Sequence, residues 1–298
     1  MEFAFTFRGD LDKKRVVAIC RQAEAAAFDY CWFFDTHVLW RDLYPQMAVA
    51  MEHTSRLRFG PCVTNPQVRE WSVAASLFGA LAVQSDGRFD VGAGRGDSSV
   101  RVLGKRPATV ARLEEFCAAM KGLVRGDSIT YDERPEPVMF DWTGGYELPV
   151  WVAAYGPKAL AAAGRVGDGL IVQLAEPSLC EWMGEAARDA GSEAGRDMSG
   201  YRVMACAPVW VGDRDKGISQ TKWFPALVGN HIADILKWHG SDTRQVPEAL
   251  SAFVQDRKGS GADEGYDYMQ HTQIDDENAY YVTDQTTEAF GVIGPVEA

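Results

Sequence analysis

The sequence predicts an α/β protein built as a parallel (β/α)₈ barrel, and three observations predict it. Short apolar runs alternate with helical patterns along most of the 298 residues. Each run follows a helix in strict order, which demands parallel pairing through crossover connections. The length suits one such barrel better than a doubly wound sheet.

The elements follow in order. Phe3 to Phe7 reads as a strand, and Asp12 to Phe28 carries apolar residues at helical spacing behind an acidic start. Tyr30 to Phe34 is the next strand and Tyr44 to His53 the next helix; Leu57 to Val63 and Ser72 to Gln84 repeat the unit, as do Arg88 to Gly92 and Thr109 to Val124. Residues 127–147, DSITYDERPEPVMFDWTGGYE, break the rhythm with alternating β-formers around a Pro-rich turn, the pattern of an inserted surface hairpin. The rhythm resumes with a strand at Pro149 to Ala154, a helix at Pro157 to Val166, a strand at Gly169 to Leu174, a helix at Ser178 to Ala190 and one long strand from Tyr201 to Val211.

An eighth strand is not visible. The chain is read as one domain over residues 1–298 with an insertion around 213–285: a helical, Trp-containing stretch from Lys216 to Trp238, then the polar stretch QDRKGSGADEGYDYMQ, an exposed insertion or partly disordered loop. The last residues, GVIGPVEA, place Pro295 and Glu297 as in the first turn of a helix. That pattern implies either a truncated C-terminus or a barrel closed by something other than the usual last strand.

Composition narrows the function. The net charge of −12 is spread along the chain without a basic patch, which argues against nucleic acid and anionic membrane as partners. No signal peptide and no run of membrane-spanning length is present, so a soluble, cytoplasmic protein is expected. The six cysteines lie far apart with no Cys-x-x-Cys pair, and no histidine stands at metal-ligand spacing; reduced, mostly buried thiols are expected, and no metal.

Residues 87–99, GRFDVGAGRGDSS, raise the question of a nucleotide loop. A dinucleotide fingerprint needs a third glycine three positions after its second, and Asp97 stands there, where a carboxylate would repel a pyrophosphate. The tract also follows a fourth strand rather than a first. A tight turn with a capping Asp or Ser is one alternative. The other is a functional loop, because in a barrel it lies at the carboxyl end of a strand, where active sites gather.

The runs RFDVGAGRGDSSVRVLGKRPATVARLEE, LRFGPCVTNPQVREWSVAASLFGAL, FDTHVLW and VWVAAYGPKALAAAGRVGDGLIV resemble the luciferase-like monooxygenase superfamily. Within it the chain is most similar to the coenzyme F420-dependent oxidoreductases, the group of methylenetetrahydromethanopterin reductase and F420-dependent glucose-6-phosphate dehydrogenase. The resemblance implies a luciferase-like barrel, a homodimer, and hydride transfer between coenzyme F420, a deazaflavin, and a small organic substrate. FMN is the alternative cofactor, for a monooxygenase; a flavin-binding barrel without catalysis is a further reading.

FFDTHVLW ends the second strand, so Asp35, His37 and Trp40 are expected at the barrel mouth. Histidine titrates near neutrality and can move a proton while hydride moves, which makes His37 the proton-transfer candidate; a packed or solvated histidine is the plain alternative. In the sugar-phosphate dehydrogenase of the family a histidine directly follows the aspartate, whereas here Thr36 intervenes. Asp35 would orient His37 or bond the ring edge. Trp40 is a core aromatic or a wall for a tricyclic ring.

The resemblance implies a non-proline cis bond at Cys62–Val63 that backs the ring, with Asn65 offering a donor and an acceptor to its edge. Asp97 stands where the sugar-phosphate dehydrogenase has glutamate, as a second acid. Gly94 and Gly96, with Arg95 between them, would leave room for the cofactor. The cofactor's phosphate is assigned to the strand-to-helix junction Tyr155, Gly156, Pro157, Lys158 and Ala159, where free amides and the helix dipole favour an anion, although proline there is also ordinary punctuation. Gln173 is placed near the cofactor's side chain.

Overall fold

Side chains set most helix starts. Asp12 accepts hydrogen bonds from the amides of Lys14 and Arg15 to open α1 (Lys13–Ala25), Asp42 caps α2 (Leu43–Glu52), Glu70 caps α3 (Trp71–Gln84) and Thr109 caps α5 (Val110–Arg125). Between α3 and α5 lies a single turn, α4 (Ser98–Arg101). The computed structural model describes residues 1–130, 135–228, 269 and 282–295. Its backbone groups into two units, Met1–Ala153 with Arg165–Asp168, and Ala154–Gly164 with Gly169–Ala298.

In the first unit, β1 (Ala4–Phe7), β2 (Tyr30–Phe33) and β3 (Arg58–Pro61) pair in parallel, with Phe7 opposite Phe33 and Phe33 opposite Pro61. Parallel bridges at Phe59 to Phe89 and Thr64 to Ala93 carry the pairing on to β4 (Val91–Ala93), and β4 pairs in parallel with β5 (Val150–Ala153). All four residues of β2 are buried, as expected for a parallel strand covered on both faces. Within this unit Tyr30 stacks on Trp32 with centroids 5.5 Å apart, and Trp151 meets Trp32 edge-on at 6.2 Å. Phe33, Phe59, Phe78 and Phe89 are fully buried, each contributing about 1.5–3 kcal/mol relative to exposure.

The amino-terminal edge of these strands is tied by a polar network. Buried Asp90 accepts from Arg58 Nε and from Trp151 Nε1, both at 2.9 Å, and the Tyr146 hydroxyl reaches the carbonyls of Gly87 and Phe89. The expected hairpin insertion is present as an antiparallel bridge between Ile129 and Val138, with both amide bonds at 2.8 Å.

The second unit contains most of α6 (Pro157–Val166), then β6 (Gly169–Val172), α7 (Pro177–Glu193) and β7 (Arg202–Ala205), with β6 and β7 parallel. The long strand expected from Tyr201 to Val211 is instead two: β7, and β8 (Val209–Val211), separated at Cys206–Pro208. Pro208 has no amide to donate, and the partner changes there. β7 follows β6, whereas β8 pairs in parallel with β9 (Val292–Gly294). A strand that the sequence did not show, Val292 to Gly294, thus precedes Pro295, and the helix start read at Pro295 and Glu297 falls mostly on residues 296–298, outside the described residues. Helices α8 (Arg214–Thr221) and α9 (Asp284–Phe290) lie between these two strands in sequence. Most of the insertion expected around 213–285, including the polar stretch, lies outside the described residues.

Candidate active site

Parallel pairing brings the carboxyl ends of β2, β3 and β4 to one edge of the first unit. The chain leaving β3 changes partner there: the Cys62 amide donates to Phe33 O of β2 at 2.6 Å, while Thr64 exchanges hydrogen bonds with Gly92 O and the Gly94 amide of β4. Between these contacts the Cys62–Val63 peptide bond is cis, as expected from the sequence. Cys62 and Val63 are half-buried, and Thr64 and Asn65 after them are buried completely.

Asn65 is turned into the protein. Its Nδ2 donates to Ser99 Oγ at 2.9 Å and its Oδ1 accepts from the Gln67 amide at 3.0 Å. It therefore fastens the end of β3 to the start of α4 rather than presenting both groups outward. The space at the glycines is likewise filled by protein: a Cβ on Gly94 would stand 2.9 Å from Val63 Cγ2, and one on Gly96 would stand 2.9 Å from Asn65 Oδ1. Gly96 also has φ +83°, the left-handed region that suits glycine.

Asp97 occupies the cap position of α4 but makes no cap bond; its carboxylate pairs with Arg101 one turn on. The capping role is thus replaced by an ion pair. Arg95 is engaged locally, its Nε donating to Ala108 O at 2.6 Å.

At the end of β2, His37 is exposed, and Trp40 is half-buried with the Arg8 guanidinium 5.4 Å from its ring. Asp35 is only 3% exposed and bonds Tyr44, whose hydroxyl donates to Asp35 Oδ2 at 3.1 Å; it makes no bond to His37. Arg69, from the loop after β3, lies 4.6 Å from the Tyr44 ring centroid, donates to Asp42 at 2.7 Å and brings Nε to 3.9 Å from Asp35 Oδ2. Burial pushes the Asp35 carboxyl up, opposed by Thr64, Arg69 and Tyr44, and burial followed by the Asp35 charge pushes the Tyr44 hydroxyl well up. Tyr44, Thr64, Arg69 and Ser99 were not singled out from sequence. The signal available was a Tyr and an Arg soon after two consecutive strand ends.

In the second unit the structure brings Tyr155 to Gln173: the tyrosine hydroxyl accepts from the Gln173 amide at 3.1 Å and donates to its Oε1 at 3.3 Å. Gly156 precedes α6 where α1 and α2 carry capping aspartates, and its carbonyl accepts from Ala159 and Leu160. Lys158 is exposed on that first turn.

The half-buried cis bond Cys62–Val63 thus lies at adjoining parallel strand ends, with an exposed histidine on the loop after the neighbouring strand. Residues 4–298 match the family described as luciferase-like monooxygenase. The chain belongs to that family. It is 28% identical over 286 residues to the 5,10-methylenetetrahydromethanopterin reductase of Archaeoglobus fulgidus, covering 90% of this chain and 84% of the relative. It is 32% identical over 217 residues to the F420-dependent hydroxymycolic acid dehydrogenase of Mycobacterium tuberculosis, covering 67% and 59%. Among solved structures, the coenzyme F420-dependent tetrahydromethanopterin reductase of Methanopyrus kandleri superposes with a TM-score of 0.71 at 21% identity, covering 99% of this chain and 92% of that one.

The luciferase-like fold, related to the (β/α)₈ barrel, is therefore the fold of this chain. The superfamily is one of flavin- and deazaflavin-binding oxidoreductases and monooxygenases. No helix among the described residues is long and apolar enough to cross a membrane.

Proposed function

We propose that this luciferase-like protein is an oxidoreductase that transfers a hydride between coenzyme F420 and an organic substrate. The observation that carries the reading is the meeting of the carboxyl ends of β2, β3 and β4, tied together through Cys62 and Thr64, with His37 and Asp97 on the loops that follow β2 and β4. Similarity to the F420-dependent hydroxymycolic acid dehydrogenase of Mycobacterium tuberculosis is the support for the deazaflavin over FMN.

The residues present fit such a group. Cys62 and Val63 would back its ring, supported by buried Thr64 and Asn65. Taken by itself, the α6 start in the second unit, with the Gly156 and Lys158 amides, the helix dipole and the exposed Lys158 charge, suits an anion such as the cofactor's phosphate. When bound, coenzyme F420 supplies hydride exchange at its C5 carbon; the protein supplies orientation and a dry surface.

His37 has an imidazole that is exposed and makes no hydrogen bond or ion pair among the described residues, so it is available to give or take the proton that accompanies the hydride. Asp97 is the second candidate, and its carboxylate is already engaged in an ion pair with Arg101. The test is identification of the bound cofactor by absorbance and mass after gentle purification, with titration of the apoprotein by F420 and by FMN. Binding of F420 with substrate-dependent bleaching supports the reading. Binding of FMN alone, with oxygen consumed on reduction, overturns it in favour of a monooxygenase.

A further inference from the structure

Two loops that carry the proposed chemistry, one after β2 with His37 and one after β3 with the bulge, meet through side chains outside the assigned site. Tyr44 and Arg69 make that connection. Asp42 ties down the first turn of α2 by accepting from the Tyr44 amide through Oδ1 at 3.1 Å, and Arg69 holds the other oxygen of the same carboxylate at 2.7 Å. The guanidinium lies over the Tyr44 ring, and the Tyr44 hydroxyl reaches back to Asp35. Tyr44 is 4% exposed and Asp35 3%, so this contact is shielded from water. Arg69 Nε is buried without a hydrogen-bond partner among the described residues, 3.9 Å from Asp35 Oδ2.

We propose that Arg69 and Tyr44 are positioning residues that hold the buried Asp35 carboxyl in place and thereby fix the His37 loop beside the chain leaving β3. The role for the ring site rests on the F420 reading; the hold on Asp35 does not. A buried carboxylate is costly unless it is paired and hydrogen-bonded, and Arg69 supplies the charge while Tyr44 supplies the hydrogen. The other groups facing the carboxyl are Asp42, which opposes ionisation, and the Thr64 hydroxyl, which favours it.

The arrangement sets the sign of a pH effect. A carboxyl raised by burial contributes stability that is present below its unfolded value near 4 and lost as pH rises through its folded value. Removing the cation 3.9 Å away moves the folded value further upward, so the loss extends toward higher pH.

The experiment compares wild type, Arg69→Gln, Asp35→Asn and the double variant by urea unfolding from about pH 4 to about pH 8, with titrations by F420 and FMN over the same range. The expected result is an upward shift in the pH-dependent step of Arg69→Gln, absent from the double variant, with ligand affinity changing across the same displaced window. Tyr44→Phe shifts the step in the same direction by less, and serves if Arg69→Gln does not fold. Profiles for Arg69→Gln, or for Tyr44→Phe in its place, that run parallel to wild type overturn the hold on Asp35. A displaced unfolding step with an affinity loss equal at every pH overturns the link to the ring site. If wild type binds neither F420 nor FMN, the functional reading and that link fall together, and the unfolding arm still decides the hold on Asp35.

Discussion

Replacing Gly96 by alanine tests how tightly the end of β4 is fitted to Asn65. Two costs are separable. A side chain at φ +83° costs about 1–2 kcal/mol for the left-handed backbone. The new Cβ would also stand 2.5 Å from Val100 Cγ2 and 2.9 Å from Asn65 Cγ and Oδ1, which forces α4 or Asn65 to move at a further cost of about 1–3 kcal/mol. Displacing Asn65 puts at risk the Ser99 and Gln67 bonds that fix the bulge loop. Gly104 is the control, because it has φ +68° and nothing within 4 Å of an added methyl group, so Gly104→Ala carries only the backbone cost. Urea unfolding of the two variants should give a loss of about 2–5 kcal/mol for Gly96→Ala and about 1–2 kcal/mol for Gly104→Ala, and only the former should weaken cofactor binding. Equal losses, or unchanged affinity in Gly96→Ala, would refute the packing argument.

Three more outcomes follow from the site and its support. His37→Ala should lower turnover by about 10²–10⁴-fold while leaving the urea midpoint where it is, since the imidazole is exposed; a shifted midpoint with normal turnover contradicts the proton-transfer role. Asp90→Ala should destabilise by about 3 kcal/mol in urea, the low end for a broken buried pair, because the Arg58 side chain keeps 30% exposure. Cys20, Cys31 and Cys117 are buried, and burial pushes the Cys117 thiol up to about 12, so a thiol reagent near pH 8 should leave these three unmodified until denaturant is added.

Much of the fold was legible because its signals are local. Asp12 and Thr109 announce helices through the bonds they make two or three residues on, and the unbroken apolar run at Tyr30 to Phe33 marks a strand covered on both faces. The division at Pro208 was hidden because β7 and β8 are both apolar and differ only in partner, one of which lies more than eighty residues away in sequence. The same reason explains the site. Its backbone locations follow from strand ends, but Asp35 and Arg69 are 34 positions apart, and no periodicity records that a carboxyl turns inward to a tyrosine instead of outward to a histidine. Asn65 looked available for a similar reason: Ser99 becomes its neighbour only after β3 and β4 are side by side, while the Gln67 amide two residues on was a local turn signal that the reading did not use.

The contact between Val63 and Gly94 limits how this mouth can be redesigned. Bulk on one side is matched by absence on the other, so changes at the two positions should not add: a Cβ at position 94 needs the Val63 side chain to give way, and a smaller residue at position 63 should relieve that demand. A combinatorial library that samples the two sites independently wastes most of its members. One that exchanges volume between them explores new surfaces at these strand ends at constant packing.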